Sequence, residues 1–250
     1  MVLFTKLDPS ITMSKTKPMK RKFFILIILL IVSIQVKGQY NYNVIPTMDY
    51  FRIVEMTEKD LTIILSELDI EGSPYLEENF TNGTIYTTSK QKIIDIPVRY
   101  NIYSDNLEFK TPEAKILAIS NPETLELIDF GKYKMEYISY VNKKQIKSSF
   151  FKIVEEGNAT LYAKPEVFFQ EEVKGDGIRP SRSAKFIPKS DLYYISIDNK
   201  PAVKIESKKD LINVLSDQQK EILLFLKENK VKNITKDDQL QRIVKYYNSL

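Results

Sequence analysis

The stretch K-I-I-D-I-P-V-R-Y-N-I-Y-S-D-N-L-E-F-K, Lys92 to Lys110, decides the fold class. Ile94, Ile96, Val98, Tyr100 and Ile102 alternate with Asp95, Pro97, Arg99, Asn101 and Tyr103, which gives one face of an extended segment a continuous apolar stripe. That period predicts a half-buried β-strand. Asp105 and Asn106 tolerate positive φ, and Leu107 and Phe109 resume the alternation, so the strand is expected to fold back as a hairpin at Asp105-Asn106. Pro97 has no N–H to give to a ladder, which places it at a sheet edge or a bulge. Arg99 falls opposite the apolar stripe, where it either anchors a carboxylate or forms a cross-strand ion pair, worth under about 1 kcal/mol if exposed.

Further strands are expected on both sides of this hairpin. Upstream, Gly72-Ser73-Pro74-Tyr75 and Asn82-Gly83 read as turns, with a short strand at 84–88. Thr57 opens T-E-K-D as a helix N-cap before Leu61, Ile64, Leu65 and Leu68, which recur at helical spacing. Downstream, 115–120, 124–130, 133–141, 146–154, 161–169 and 190–205 read as strands. Short turns join most of them, which implies antiparallel pairing, because parallel neighbours need long crossovers. One long loop, 170–184, breaks the rhythm.

After residue 206 the period changes to that of amphipathic helices. Ser207 caps a segment with Leu211, Ile212 and Leu215, Ser216 to Gln219 reads as a capping box, and Thr235 opens a helix with Leu240, Ile243, Val244 and Tyr247. The expected class is α+β: a mainly antiparallel β meander, as a sheet, sandwich or partly open barrel, followed by about three short helices. The expected division is 1–38 leader, 39–71 lead-in with a short helix, 72–206 β domain and 207–250 helices packed on it.

Composition excludes several chemistries. With 43% hydrophobic and 28% charged residues in 250, the chain has the means for an ordinary core. There is no His, Cys or Trp, which removes imidazole bases, thiol nucleophiles, Ser-His-Asp triads, the usual zinc sites and disulfides. No cofactor is implied. The formal charge of +4 comes from 37 Lys and Arg against 33 Asp and Glu; seven of the cations and one of the anions lie in residues 1–38. The remainder carries 30 against 32, so nucleic acid is not an expected partner.

The basic residues Lys15, Lys17, Lys20, Arg21 and Lys22 precede F-F-I-L-I-I-L-L-I-V-S-I, Phe23 to Ile34, and then Q-V-K-G-Q. This is the pattern of a secretory signal peptide with cleavage before Gln39 and with Met19 as the start. A run of twelve falls short of the roughly 20 residues of a spanning helix, so no transmembrane span is expected after cleavage. Export of a chain without cysteine fits a bacterial envelope, in the periplasm or outside the cell.

The segments G-S-P-Y-L (Gly72 to Leu76), P-V-R-Y-N-I-Y (Pro97 to Tyr103), E-F-K (Glu108 to Lys110), F-F-K-I-V-E-E-G (Phe150 to Gly157), Y-Y-I (Tyr193 to Ile195) and V-K-Y-Y-N-S-L (Val244 to Leu250) resemble an uncharacterised family of secreted and envelope proteins from Bacteroidota. The resemblance covers most of the chain after the leader. It implies an envelope or extracellular address and carries over no functional residue.

Candidate sites follow from residue chemistry. In G-D-G-I-R-P-S-R, Gly175 to Arg182, glycines free the backbone amides, and Arg179 and Arg182 beside Asp176 offer an anion or partner contact; a surface loop is the bland alternative. Tyr133 and Tyr137, flanking Met135, form an aromatic platform for a glycan if their face is exposed, and ordinary core if it is not. The adjacent acids Glu77-Glu78, Glu155-Glu156, Glu171-Glu172 and Asp237-Asp238 read as solvated charge, since neighbours on a strand point to opposite faces. The leading expectation is a non-enzymatic interaction or structural module whose partner is an envelope protein or a glycan. Second comes a glycan or small-molecule binder, third a carboxylate-based hydrolase.

Overall fold

Two runs of alternating sequence fold as two antiparallel meanders that share one sheet. The computed structural model describes residues 41–47, 49–50, 56–58, 70–175, 180–231, 233–234 and 237–250. The strands among them are β1 (Asn43–Val44), β2 (Met56–Glu58), β3 (Thr81–Thr87), β4 (Gln91–Asn101), β5 (Asn106–Lys110) and β6 (Ile116–Ile119). They continue as β7 (Leu125–Asp129), β8 (Lys134–Asn142), β9 (Gln145–Glu155), β10 (Ala159–Gln170), β11 (Lys185–Ile197) and β12 (Val203–Lys204). The helices are α1 (Lys208–Val214), α2 (Gln219–Glu228) and α3 (Asp237–Tyr247). The fold is α+β, as the sequence predicts.

The sheet runs β12-β11-β10-β9-β8-β7-β3-β4-β5-β6-β2 and is open. The neighbours along that path are antiparallel; β1 pairs with β4 in parallel at Gln91 and Lys92. The pair β3–β7 joins the two meanders. A flat sheet would hold β6 and β7 about 19 Å apart, four strand spacings. Yet only Ser120 to Thr124 connect them, with Pro122–Thr124 wound into a 3-10 turn. The first meander therefore curls, and the curl encloses a core of Ile85, Ile93, Ile96, Val98, Leu107, Phe109, Ile119, Leu125 and Ile128.

The second meander curls toward the opposite face. On β9, Phe150 enters the first core, while its neighbour Phe151 joins Tyr140, Tyr162, Tyr194 and Ala202 in an aromatic core. Ala202 closes over that core by exchanging two 2.9 Å backbone hydrogen bonds with Ser139 and Val141 of β8. The helices cover the other face of β10 and β11, burying Leu211, Leu215, Ile222, Leu226, Leu240, Ile243 and Val244 against Leu161, Ala163 and Ile195. Asn248 clamps the helical layer to β10: its Oδ1 accepts from Ala159 N–H and its Nδ2 donates to the Ala159 carbonyl, each at 2.9 Å. Among the described residues no helix is long and apolar enough to cross a membrane. The apolar run 23–34 and the expected helix at 61–68 lie outside the described residues.

Several local readings change. The apolar stripe of β4 is not continuous: Ile94 is 43% exposed and Ile93 is buried in its place. Asp95 has a φ of 55°, and the pairing steps from Gly83–Ile96 to Ile85–Ile93, so an extra residue bulges out of β4 and shifts the phase of the alternation. Pro97 lies just past this bulge, between Lys92, the last residue paired with β1, and Val98, the first paired with β5. Asn82-Gly83 is not a turn but part of β3. A Cβ on Gly83 would meet Val98 Cγ1 at 2.8 Å and the Asp129 carbonyl at 3.0 Å, so the glycine serves close strand approach. Thr57, expected as an N-cap, pairs with Ala118 inside β2.

The predicted β4–β5 hairpin forms, but its turn comes earlier than expected: Asn101 pairs with Asn106, so residues 102–105 make the loop and Asn106 already belongs to β5. Asp105 in that loop accepts hydrogen bonds from the Tyr100 hydroxyl (2.7 Å), the Ser149 hydroxyl (2.6 Å) and the Phe150 N–H (3.3 Å), which tie the hairpin to β9. The Ser207–Asp210 capping box at α1 is present, whereas Ser216 starts a 3-10 turn without a side-chain cap.

The expected cross-strand ion pair of Arg99 exists, but it is buried. Arg99 lies directly opposite Glu108, which is 1% exposed, and donates to Glu108 Oε2 from Nε (2.9 Å) and Nη2 (2.7 Å). Two further donors reach the Glu78 carbonyl (3.1 Å) and the Tyr75 hydroxyl (2.8 Å), and Asn101 Nδ2 donates to Glu108 Oε1 at 3.2 Å. The rings of Tyr75 and Phe80 lie 3.6 and 4.4 Å from the guanidinium carbon. Removing one charge strands the other, so Glu108→Ala should lower stability in urea denaturation by about 3–5 kcal/mol, whereas the double variant Arg99→Met/Glu108→Leu should lose much less.

Candidate functional site

The described residues that combine exposure with aromatic character gather at one end of the β10–β11 hairpin. Pro165 interrupts the pairing, which shifts between Lys164 and Glu166, so the outer part of the hairpin is set off from the inner part that carries the helices. There Phe169 pairs across the strands with Phe186, their rings 5.1 Å apart. Tyr103, from the β4–β5 loop, lies against both at 5.8 and 5.3 Å. Tyr103 is nonetheless 55% exposed, with its ring tilted against Phe169 and edge-on to Phe186.

The segment before β3 braces this corner. Phe186 N–H donates to the Glu71 carbonyl at 2.8 Å, and Leu76 N–H donates to the Tyr100 carbonyl at 3.0 Å, so residues 71–76 bridge β11 and β4. Gly72, with φ at +80°, is needed there, since a Cβ would collide with the Phe186 carbonyl oxygen. On the other face of β10, Phe168 is 48% exposed with the Lys189 ammonium 4.8 Å from its ring centre. Beyond Gln170 and Lys185, Val173 and Arg182 exchange two backbone hydrogen bonds of 2.9 Å, narrowing the loop to a neck with both side chains exposed.

The candidate residues read from sequence thus separate. Arg182 reaches the rim, while Asp176 and Arg179 lie outside the described residues. Arg99 is taken up by Glu108 and its surroundings, away from solvent. Tyr133 and Tyr137 share the core face with Met135: Tyr133 stacks on Phe130 at 4.7 Å and Tyr137 lies 4.9 Å from Phe150. Tyr103 and Phe168 carried a signal only as aromatic residues next to turn-rich segments, since neither stands in a motif.

Among the described carboxylates of the adjacent pairs, several lie in solvated contacts. Glu77 faces Lys132 at 3.7 Å, Glu156 faces Lys134 at 3.2 Å, and Glu155 accepts from Gln241 at 3.1 Å. The described acid pushed upward is Glu136, which no pair singled out. Burial pushes its carboxyl above the ordinary range; a 2.7 Å hydrogen bond from the Tyr162 hydroxyl opposes this, and the charges of Glu156 and Glu126 add to it. Glu136 lies on the aromatic side of the second curl, and the groove formed by Asp129, Gly131 to Lys134 and Ile153 to Glu156 is lined without it.

An acid whose folded pKa is raised gives its full stabilisation below its unfolded pKa and loses it as pH rises through the folded value. Glu136→Gln keeps an acceptor for Tyr162 and stays neutral. Thermal melts should therefore show the variant and the parent alike near pH 4 and the variant more stable at pH 8; the reverse order would refute the burial argument.

No family model, no curated protein and no solved structure matches this chain, so its fold and its rim stand on their own geometry.

Proposed function

We propose that this protein is a non-enzymatic interaction module of a bacterial envelope, exported by its leader, that engages its partner through the aromatic rim. The observation that carries the reading is Tyr103, an exposed ring buttressed by Phe169 and Phe186, with Phe168 exposed on the opposite face of β10 and Val173 and Arg182 exposed on the neck beyond them. Rigid aromatic side chains give large contact area at small entropic cost, and aromatic and arginine residues dominate binding energy at protein interfaces. Export rests on the basic and apolar leader ending before Gln39. The envelope address rests on that leader, the absence of cysteine and the resemblance to secreted proteins of Bacteroidota.

A second reading is favoured by the same ring. A tyrosine that is more than half exposed offers its ring for stacking on a sugar, so a glycan is the alternative partner.

Cross-linked capture of the tagged protein from intact cells tests the first reading. Specific envelope partners, a bait beginning at Gln39, and a loss of about tenfold or more in partner affinity for Tyr103→Ala/Phe168→Ser support it. Undiminished capture by the double variant refutes the rim, and binding confined to a glycan array transfers it to the second reading.

A further inference from the structure

The sheet and the helical layer leave a groove of about 570 Å³ between the β11–β12 turn and the end of α1. Its volume is that of small-molecule sites. Ile195, Ile197, Pro201, Val203 and Val214 form an apolar floor, with the Tyr247 ring beside them. The polar side of the lining holds Asp198 and Asp217 with one cation, Lys200. Lys200 reaches Asp198 only at 3.7 Å, both groups being exposed, so that pair is weak and easily displaced.

The turn and the helix end set this chemistry. Asp198 and Asn199 both have positive φ, 53° and 58°, which makes a tight hairpin turn and fixes Asp198 at its corner. Asp217 is held from the other wall, accepting the Tyr247 hydroxyl through Oδ2 at 2.8 Å. Burial first, then Asp217, push Tyr247 up to about 12, so its hydroxyl stays protonated and keeps donating at neutral pH. α1 ends at this groove with no basic residue in its last turn.

We propose that this groove binds a small organic cation with a short alkyl chain, the ammonium toward Asp217 and Asp198 and the chain along Ile197, Val203 and Val214. Charge complementarity selects the cation, since two carboxylates face a single exposed lysine. The apolar floor selects an aliphatic tail over a bare inorganic ion. The groove is formed by residues distinct from those of the aromatic rim, so the two proposals stand or fall separately.

The test is an NMR titration of the full-length chain with n-hexylammonium, with hexanoate as the charge-reversed control. Hexylammonium should shift the amides of Val203, Val214 and Asp217 saturably, and hexanoate should not. Asp217→Asn keeps an acceptor for Tyr247 while losing the charge, and should weaken binding about three- to fivefold, the range of an exposed ion pair. Val203 is 36% exposed and tolerates Val203→Ser, which should weaken binding through the alkyl chain alone. Equal shifts with hexanoate, or affinities unchanged in both variants, would overturn the proposal.

Discussion

The buried pair of Arg99 and Glu108 is the constraint on which the first half of the structure depends. A charge on the outward face of a strand ordinarily meets water, but here residues 75–80 cover it, and a covered guanidinium must have all its donors satisfied. Glu108 takes two of them; the Tyr75 hydroxyl and the Glu78 carbonyl take others. The covering segment is thereby fixed by the charge it hides. Because that segment continues back through Gly72 and Glu71 onto Phe186, the ion pair also positions the corner on which Tyr103 rests. The chain of dependence runs from one salt bridge, through a short irregular segment, to an exposed ring.

The second half depends on aromatic shape. Tyr140, Phe151, Tyr162 and Tyr194 meet edge to face, with ring centres 5.0–6.1 Å apart, which lets four large rings fill a tight curl without parallel stacking. Glu136 accepts the Tyr162 hydroxyl inside this curl, and burial there raises its pKa although the hydrogen bond itself favours the carboxylate. The abundance of tyrosine, legible in the sequence as strand propensity, is here a packing device.

Much of the fold was legible because the pattern is local. The period-two runs marked β4, β5, β7, β8, β9 and β10, and the change of period after residue 206 marked the helices. The reading faltered where local chemistry has two meanings. Asn82-Gly83 has the composition of a turn, but its glycine answers to Val98 and Asp129, residues far along the chain. The stripe from Ile94 to Ile102 looked unbroken because a bulge at Asp95 exchanges one isoleucine for its neighbour, a swap that leaves no trace in composition. Arg99 was rightly paired across the strand, yet its burial depended on a segment more than twenty residues upstream. Of the candidate site, Arg182 was legible as loop chemistry, whereas Tyr103 and the groove beside Tyr247 arise from tertiary placement alone.

Phe150 and Phe151 make β9 a party wall. One ring belongs to the curl built by the earlier strands and the next to the curl built by the later ones, so neither core has a boundary of its own there. In folding terms there is no seam between the two curls: opening either core removes the support behind the other, and the two are bound into a single cooperative unit.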